Sequence, residues 1–226
     1  MLQVLTPATD RKLTQIATIK EELSIPTDVT TDDDLIGRLI LASSDQIGGI
    51  LRRVLALETV RETLRFSGWE RGNDGAAAPM ILSRRPITEI VSITENDTLL
   101  TEADWQPFTD PISGADGMIS GMLIRLSDDG HQRGWRGRVV VEYSAGFALP
   151  GSDNQTLPPS IERACVELVS EAYLTRNINP ALVEERIDGV GMKRYANGSY
   201  SRSGTLMPGI SDSVALKLGA FIELLA

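Results

Sequence analysis

The sequence predicts an α+β protein: a small helical bundle with an inserted, mostly antiparallel β unit and an extended C-terminal arm ending in a helix. Three observations predict it. Apolar residues recur at spacings of three and four over 32–56 and 157–177, the helical period. Between them, apolar and polar residues alternate in short runs, the strand period. After Asn179 periodicity lapses into Gly- and Ser-rich sequence, until a last apolar run closes the chain. The predicted boundaries are 1–57 with 157–178 for the bundle, 58–156 for the β unit, and 179–226 for the arm and terminal helix.

Taken in order, Thr6-Pro7 reads as an N-cap and first helical position, where proline loses no hydrogen bond. Leu13, Ile16, Ala17 and Leu23 then share a face, and Ser24-Ile25-Pro26 stops this first helix. Thr31 precedes Asp32, Asp33 and Asp34, carboxylates suited to the positive end of a helix dipole. Leu35, Ile36, Leu39, Ile40, Ile47, Ile50, Leu51 and Val54 continue that helix to about 56.

Val60, Leu64 and Phe66 alternate with Arg61, Thr63 and Arg65, which predicts the first strand of the β unit. The stretch RGNDGAAAP, 71–79, reads as a loop. A strand with Val91 and Ile93 on one side follows, then a turn at Asn96-Asp97. Met122, Ile124 and Leu126 alternate again. SDDGHQRGWRG reads as a loop before the last strand, with Val139, Val141 and Tyr143 on one face.

Pro158-Pro159 or Ser160 sets the start of the next helix. Ile161, Ala164, Cys165, Leu168, Val169, Ala172 and Tyr173 give it a wide apolar face, and Asn179-Pro180 ends it. In the final run Ser211 or Ser213 caps a helix on which Val214, Leu218, Phe221, Ile222 and Leu225 share a face. A helix this apolar needs somewhere to dock: its own core, a neighbouring subunit or another protein.

The chain of 226 residues carries a net charge of -9, which argues against a surface built to neutralise phosphates but suits a wall that lets DNA pass ungripped. The single Cys165 excludes an internal disulfide and reads as a buried small hydrophobe, and the only histidine, His131, lies in another segment. The first residues lack the pattern of a signal peptide, and no run nears the roughly 20 apolar residues of a membrane span. These features predict a protein made in a reducing cytoplasm.

Chemistry is hard to find in the sequence. GVG at 189–191 is followed by Met192-Lys193-Arg194, which fits neither a P-loop nor a dinucleotide fingerprint. One histidine and one cysteine cannot build a usual zinc site. Asp128, Asp129 and His131 read as a solvated hairpin loop rather than metal ligands, and no serine sits in Gly-x-Ser-x-Gly. Arg186, Lys193, Arg194 and Arg202, interleaved with Tyr195 and Tyr200, suit either a binding tail or a linker. No catalytic residues, metal or cofactor are predicted.

Three segments taken in order carry a resemblance: DDDLIGRLILASSDQIGGILRRVL at 32–55, ILSRRPITEIVSI at 81–93, and GRVVVEYSAGFALPGSDNQTLPPSIERACVELVSEAYLTRN at 137–177. Together they resemble the head–tail connector (adaptor, or head-completion) proteins of long-tailed double-stranded DNA phages and gene transfer agents. The likeness covers about residues 1–180 and rests on order and spacing. It implies a non-enzymatic ring of about twelve subunits in the virion neck, assembled in the host cytoplasm. Such a ring joins the portal protein to a tail-side neck or stopper protein and extends the channel through which DNA passes without specific binding. By position, Leu206, Met207, Ile210, Val214, Leu218, Phe221, Ile222 and Leu225 become the expected portal-contacting segment. A ring subunit also needs two different side surfaces. Leu39, Ile47 and Ile50 on one long helix, and Glu162, Glu167 and Tyr173 on the other, are the expected contributors. The alternative is a soluble binding module whose arm holds one partner without ring assembly.

Overall fold

The computed structural model describes residues 1–67, 78–108, 121–176, 184–187, 191–194 and 210–222, of which 108, 184–187 and 191–194 are described by backbone alone. It is an α+β structure whose chain divides into two compact units, Met1–Arg11 with Arg53–Thr156, and Lys12–Arg52 with Leu157–Ala226.

The first unit holds the sheets. Its strands are β1 (Leu2–Thr6), β2 (Glu58–Phe66), β3 (Met80–Ile81), β4 (Ile87–Glu95), β5 (Thr98–Leu99), β6 (Trp105–Phe108), β7 (Met122–Leu126), β8 (Gln132–Arg133) and β9 (Gly137–Ala145). One sheet has the order β1-β2-β9-β4-β5, with each neighbouring pair antiparallel. A second has the order β3-β7-β6, with β8 also paired to β7. Val60, Val139, Val141, Tyr143, Ile87 and Ile93 turn inward with Met80, Leu82, Leu123 and Trp135 to form the core. Alternation places them there, since side chains two apart share a sheet face.

Three readings of this unit change. The residues after Thr6 do not start a helix; Leu2–Thr6 is an exposed edge strand, because Thr6 and Val4 pair with Thr59 and Val60. Val91 and Ile93 do not share a face: register shifts between Ile90 and Ser92, so Ile93 is buried while Val91 is exposed. On β7 the buried face is Leu123 and Arg125, not the apolar series Met122, Ile124 and Leu126. The Asn96-Asp97 turn forms as expected, with φ of 51° and 63°. Most of the 71–79 loop lies outside the described residues.

The second unit holds α1 (Ile16–Glu22), α2 (Asp33–Leu51), α3 (Pro159–Thr175), the strands β10 (Glu184–Ile187) and β11 (Gly191–Arg194), and α4 (Asp212–Gly219). Asp33 and Asp34 occupy the first turn of α2, where the dipole favours them. Proline stands in the first turn of α3, where its missing N–H costs nothing. Ile19, Ile36, Ile40, Ile47, Leu51, Ile161, Ala164, Cys165 and Val169 are buried in this bundle. Within the expected arm β10 and β11 pair antiparallel, and the rest of 179–209 lies outside the described residues. The helix after Pro26 ends at Leu51, not near 56, because Arg52 turns left-handed at φ 54°.

Candidate interaction surfaces

Sites of chemistry require polar groups free to meet a substrate. Among the described residues, the largest clusters of buried polar groups are built from groups that meet one another. In the sheet unit Glu62, 3% exposed, accepts hydrogen bonds from the Ser83 backbone N–H (3.0 Å), the Ser83 hydroxyl and the Tyr143 hydroxyl (2.8 Å). Burial, reinforced by the Glu62 carboxylate, pushes the Tyr143 hydroxyl well above its ordinary pKa. Arg125, 5% exposed, meets Glu95 at 3.1 Å, Asp104 at 3.3 Å and the Leu126 carbonyl at 2.7 Å. Glu95 is further held by Arg133 (3.2 Å) and by the Arg136 N–H (2.9 Å). A buried guanidinium survives only when so surrounded, and these bonds account for it structurally.

In the helical unit Cys165 lies against the Ser44 hydroxyl at 3.8 Å, and burial pushes its thiol up to about 11. A thiol so shifted is a poor nucleophile at neutral pH. His131 is on an exposed turn, 3.9 Å from Asp129. Among the described residues no three His, Cys, Asp or Glu side chains gather in the manner of a metal site. Among them also, no helix is long and apolar enough to cross a membrane.

The expected side-surface residues sort into two sets. Ile47 and Tyr173 are buried. Tyr173 donates to Asp32 at 2.5 Å, which raises its hydroxyl pKa, while Arg176 stacks 3.6 Å over its ring. Leu39 and Ile50 are half-buried. Glu162 accepts from the Thr14 hydroxyl at 3.4 Å. The exposed stripe of α2 is Asp34, Arg38, Leu41, Ala42, Asp45 and Gly49, and on α3 Leu174 stands 65% exposed. Leu41 and Leu174 are thus free apolar groups that the sequence pattern did not single out; both fall off the apolar period of their helices.

The terminal segment is partly described. Leu206, Met207 and Leu225 lie outside the described residues. Ile210, Val214 and Leu218 are buried in the helical unit, Phe221 and Ile222 are half-buried, and Leu216 is 81% exposed. Ser211 caps α4 by accepting from the Val214 N–H at 3.4 Å. Glu167 of α3 receives Lys217 (2.9 and 3.0 Å) and the Ser213 hydroxyl (3.1 Å). Burial works to raise the Glu167 pKa, but the bonds from Lys217 and Ser213 outweigh it and hold the carboxyl below its ordinary value. Arg163, one turn earlier, reaches Glu167 at 3.4 Å and clasps Glu22 at 2.7 and 2.9 Å. Glu167 is therefore the fastening point of α4 on α3.

The fold and these surfaces define a two-unit α+β protein whose described buried clusters, at Glu62 and at Arg125, are held by their own hydrogen bonds and ion pairs. No family model and no curated protein matches the chain. Solved structures do. A chain in the neck of an empty GTA particle, computed with C6 symmetry, is 18% identical over 79% of this chain and 86% of its own, with a TM-score of 0.49. A chain in the virion of a native gene transfer agent particle is 19% identical over 80% and 88%, with a TM-score of 0.49. A third, in the neck of a native GTA particle computed with C12 symmetry, is 19% identical over 80% and 87%, at 0.46. At such identities and TM-scores these likenesses assign no activity or partner to this chain.

Proposed function

We propose that this chain is a non-enzymatic structural subunit of a virion neck. More particularly, it acts as an adaptor whose copies form a ring between the portal protein and a tail-side neck protein, prolonging the DNA channel. The observation that carries the reading is the ordered series 32–55, 81–93 and 137–177. Its resemblance to head–tail connectors falls on α2, on β3–β4, and on β9 with α3, the elements that build both cores. The excess of acid over base, 31 against 22 residues, suits a wall that DNA slides past. Side contacts would use what the helices leave free, Leu41 and Leu174. Portal contact would use the carboxy-terminal segment, in which Leu216 is the exposed apolar group of α4.

Light scattering of the full chain, alone and mixed with the portal of the same particle, tests this. A stoichiometric ring on the portal is expected. A chain that stays monomeric and leaves the portal unbound would sink the reading and favour a simple binding module.

A further inference from the structure

An eight-residue helix does not hold itself together in water, where about 12–15 residues are marginal. Helix α4 is helical because it is docked. Its dock is compact: Ile210, Val214 and Leu218 are buried, and Lys217 and Ser213 converge on the Glu167 carboxylate. The chain that joins this helix to α3 runs from 176 to 211, far beyond the roughly 4–6 residues that usually link neighbouring elements. Even with β10 and β11 paired, the remaining residues are numerous enough to span on the order of 70 Å when extended. Closure entropy grows only logarithmically with loop length, so the longer path to the α3 of an adjacent copy adds little to the cost of docking there.

We propose that α4 is exchanged between copies: in the assembled protein the Ile210–Val214–Leu218 face and Lys217 of one chain dock on α3 of the next, at the Glu167 site its own helix fills in the isolated chain. The exchanged contact is chemically identical to the internal one, so it forfeits nothing, and each exchange ties two copies together. Every chain gives one helix and accepts one. That is a head-to-tail contact, which propagates and closes when copies stand in a circle. Leu216 stays on the outward face of the exchanged helix, free for a further partner. The proposal rests on the ring reading only in needing copies side by side.

Reversing the clamp in two separate chains tests it. Glu167→Lys places its site against its own Lys217, and Lys217→Glu places its helix against its own Glu167. Under exchange, an equimolar mixture restores a Lys–Glu pair at every junction where the two chains alternate. The expected result is a mixture that assembles at least tenfold better than either variant alone. A mixture that behaves as the average of its components overturns exchange, because internal docking gives mixing no remedy. A crosslink decides the matter if the reversals prove silent. Glu167→Cys and Lys217→Cys chains, mixed and treated with a short bis-maleimide, give a heterodimer under exchange. The double variant linked only within single chains overturns it. Light scattering before crosslinking separates the outcomes: assembly on portal with internal links ends exchange alone, and absent assembly ends the ring reading.

Discussion

Gly146 closes the last strand at φ 113°, and a Cβ there would stand 2.3 Å from the Ala56 carbonyl oxygen. Its N–H donates to the Pro86 carbonyl at 2.9 Å, so the backbone has no room to relax. Gly146→Ala is expected to cost about 2–4 kcal/mol, combining backbone strain with the clash, read as a lowered midpoint in urea unfolding. A second residue-scale expectation concerns pH. Cys165 and Tyr143 both hold their protons more tightly folded than unfolded, chiefly through burial. Stability from Cys165 is therefore complete below its unfolded pKa near 9 and is lost as pH rises through about 11. Tyr143 adds a further loss from about pH 10 upward. Unfolding midpoints measured from pH 7 to 11 should fall steadily above pH 9. In the Cys165→Val variant the part beginning near pH 9 should vanish; an unchanged profile would refute its share.

At the scale of elements, β7 shows what alternation conceals. Met122, Ile124 and Leu126 have the spacing of an inward face, yet the sheet turns Leu123 and Arg125 inward. The strand reads correctly as a strand and wrongly as to face, because a buried arginine is acceptable only where acceptors surround it: beside the adjacent Leu126 carbonyl these are Glu95 and Asp104, which come from distant sequence. Arg125→Met takes from the buried Glu95 its most buried cationic partner, leaving Arg133 and the Arg136 N–H, and should cost about 2–4 kcal/mol. Pairing it with Glu95→Gln should recover part of that loss in a double-mutant cycle, and additive losses would show the two side chains to be uncoupled. By contrast α3 was legible to within about two residues: Pro159 opens it, Thr175 is its last residue where an end near 177 was expected, and of its expected face all but the half-buried Ala172 are buried. The edge strand β1 was not, since Thr6-Pro7 carries a strong local helix-start signal and the partner that overrides it is β2.

At the scale of the whole chain, the order of elements was legible and the uses of surface were less so. The terminal run 211–226 sets Val214 and Leu218 on one face and Leu216 off it, as the burial has it, but nothing in the run tells what that face meets. Its dock is marked by Glu167, placed on α3 where no apolar period singles it out. Leu216→Asp should therefore leave the unfolding midpoint within about 0.5 kcal/mol of the parent, as exposed positions do. The same change should weaken binding to the portal at least tenfold in a pull-down titration. Undiminished binding would remove Leu216 from the proposed contact.

The chain passes from the sheet unit to the helical unit after Arg11, returns after Arg52, and leaves again after Thr156. This path sets an order of manufacture. As the chain emerges from the ribosome, α2 is complete long before α3 exists, and must wait through strands β2 to β9 for the helix it packs against. The sheet unit, with β9 paired to both β2 and β4, is complete first. A nascent chain that has emerged as far as Thr156 should hold a protease-resistant sheet and an α2 still open to digestion, so the last helices act as the seal on a fold already half made.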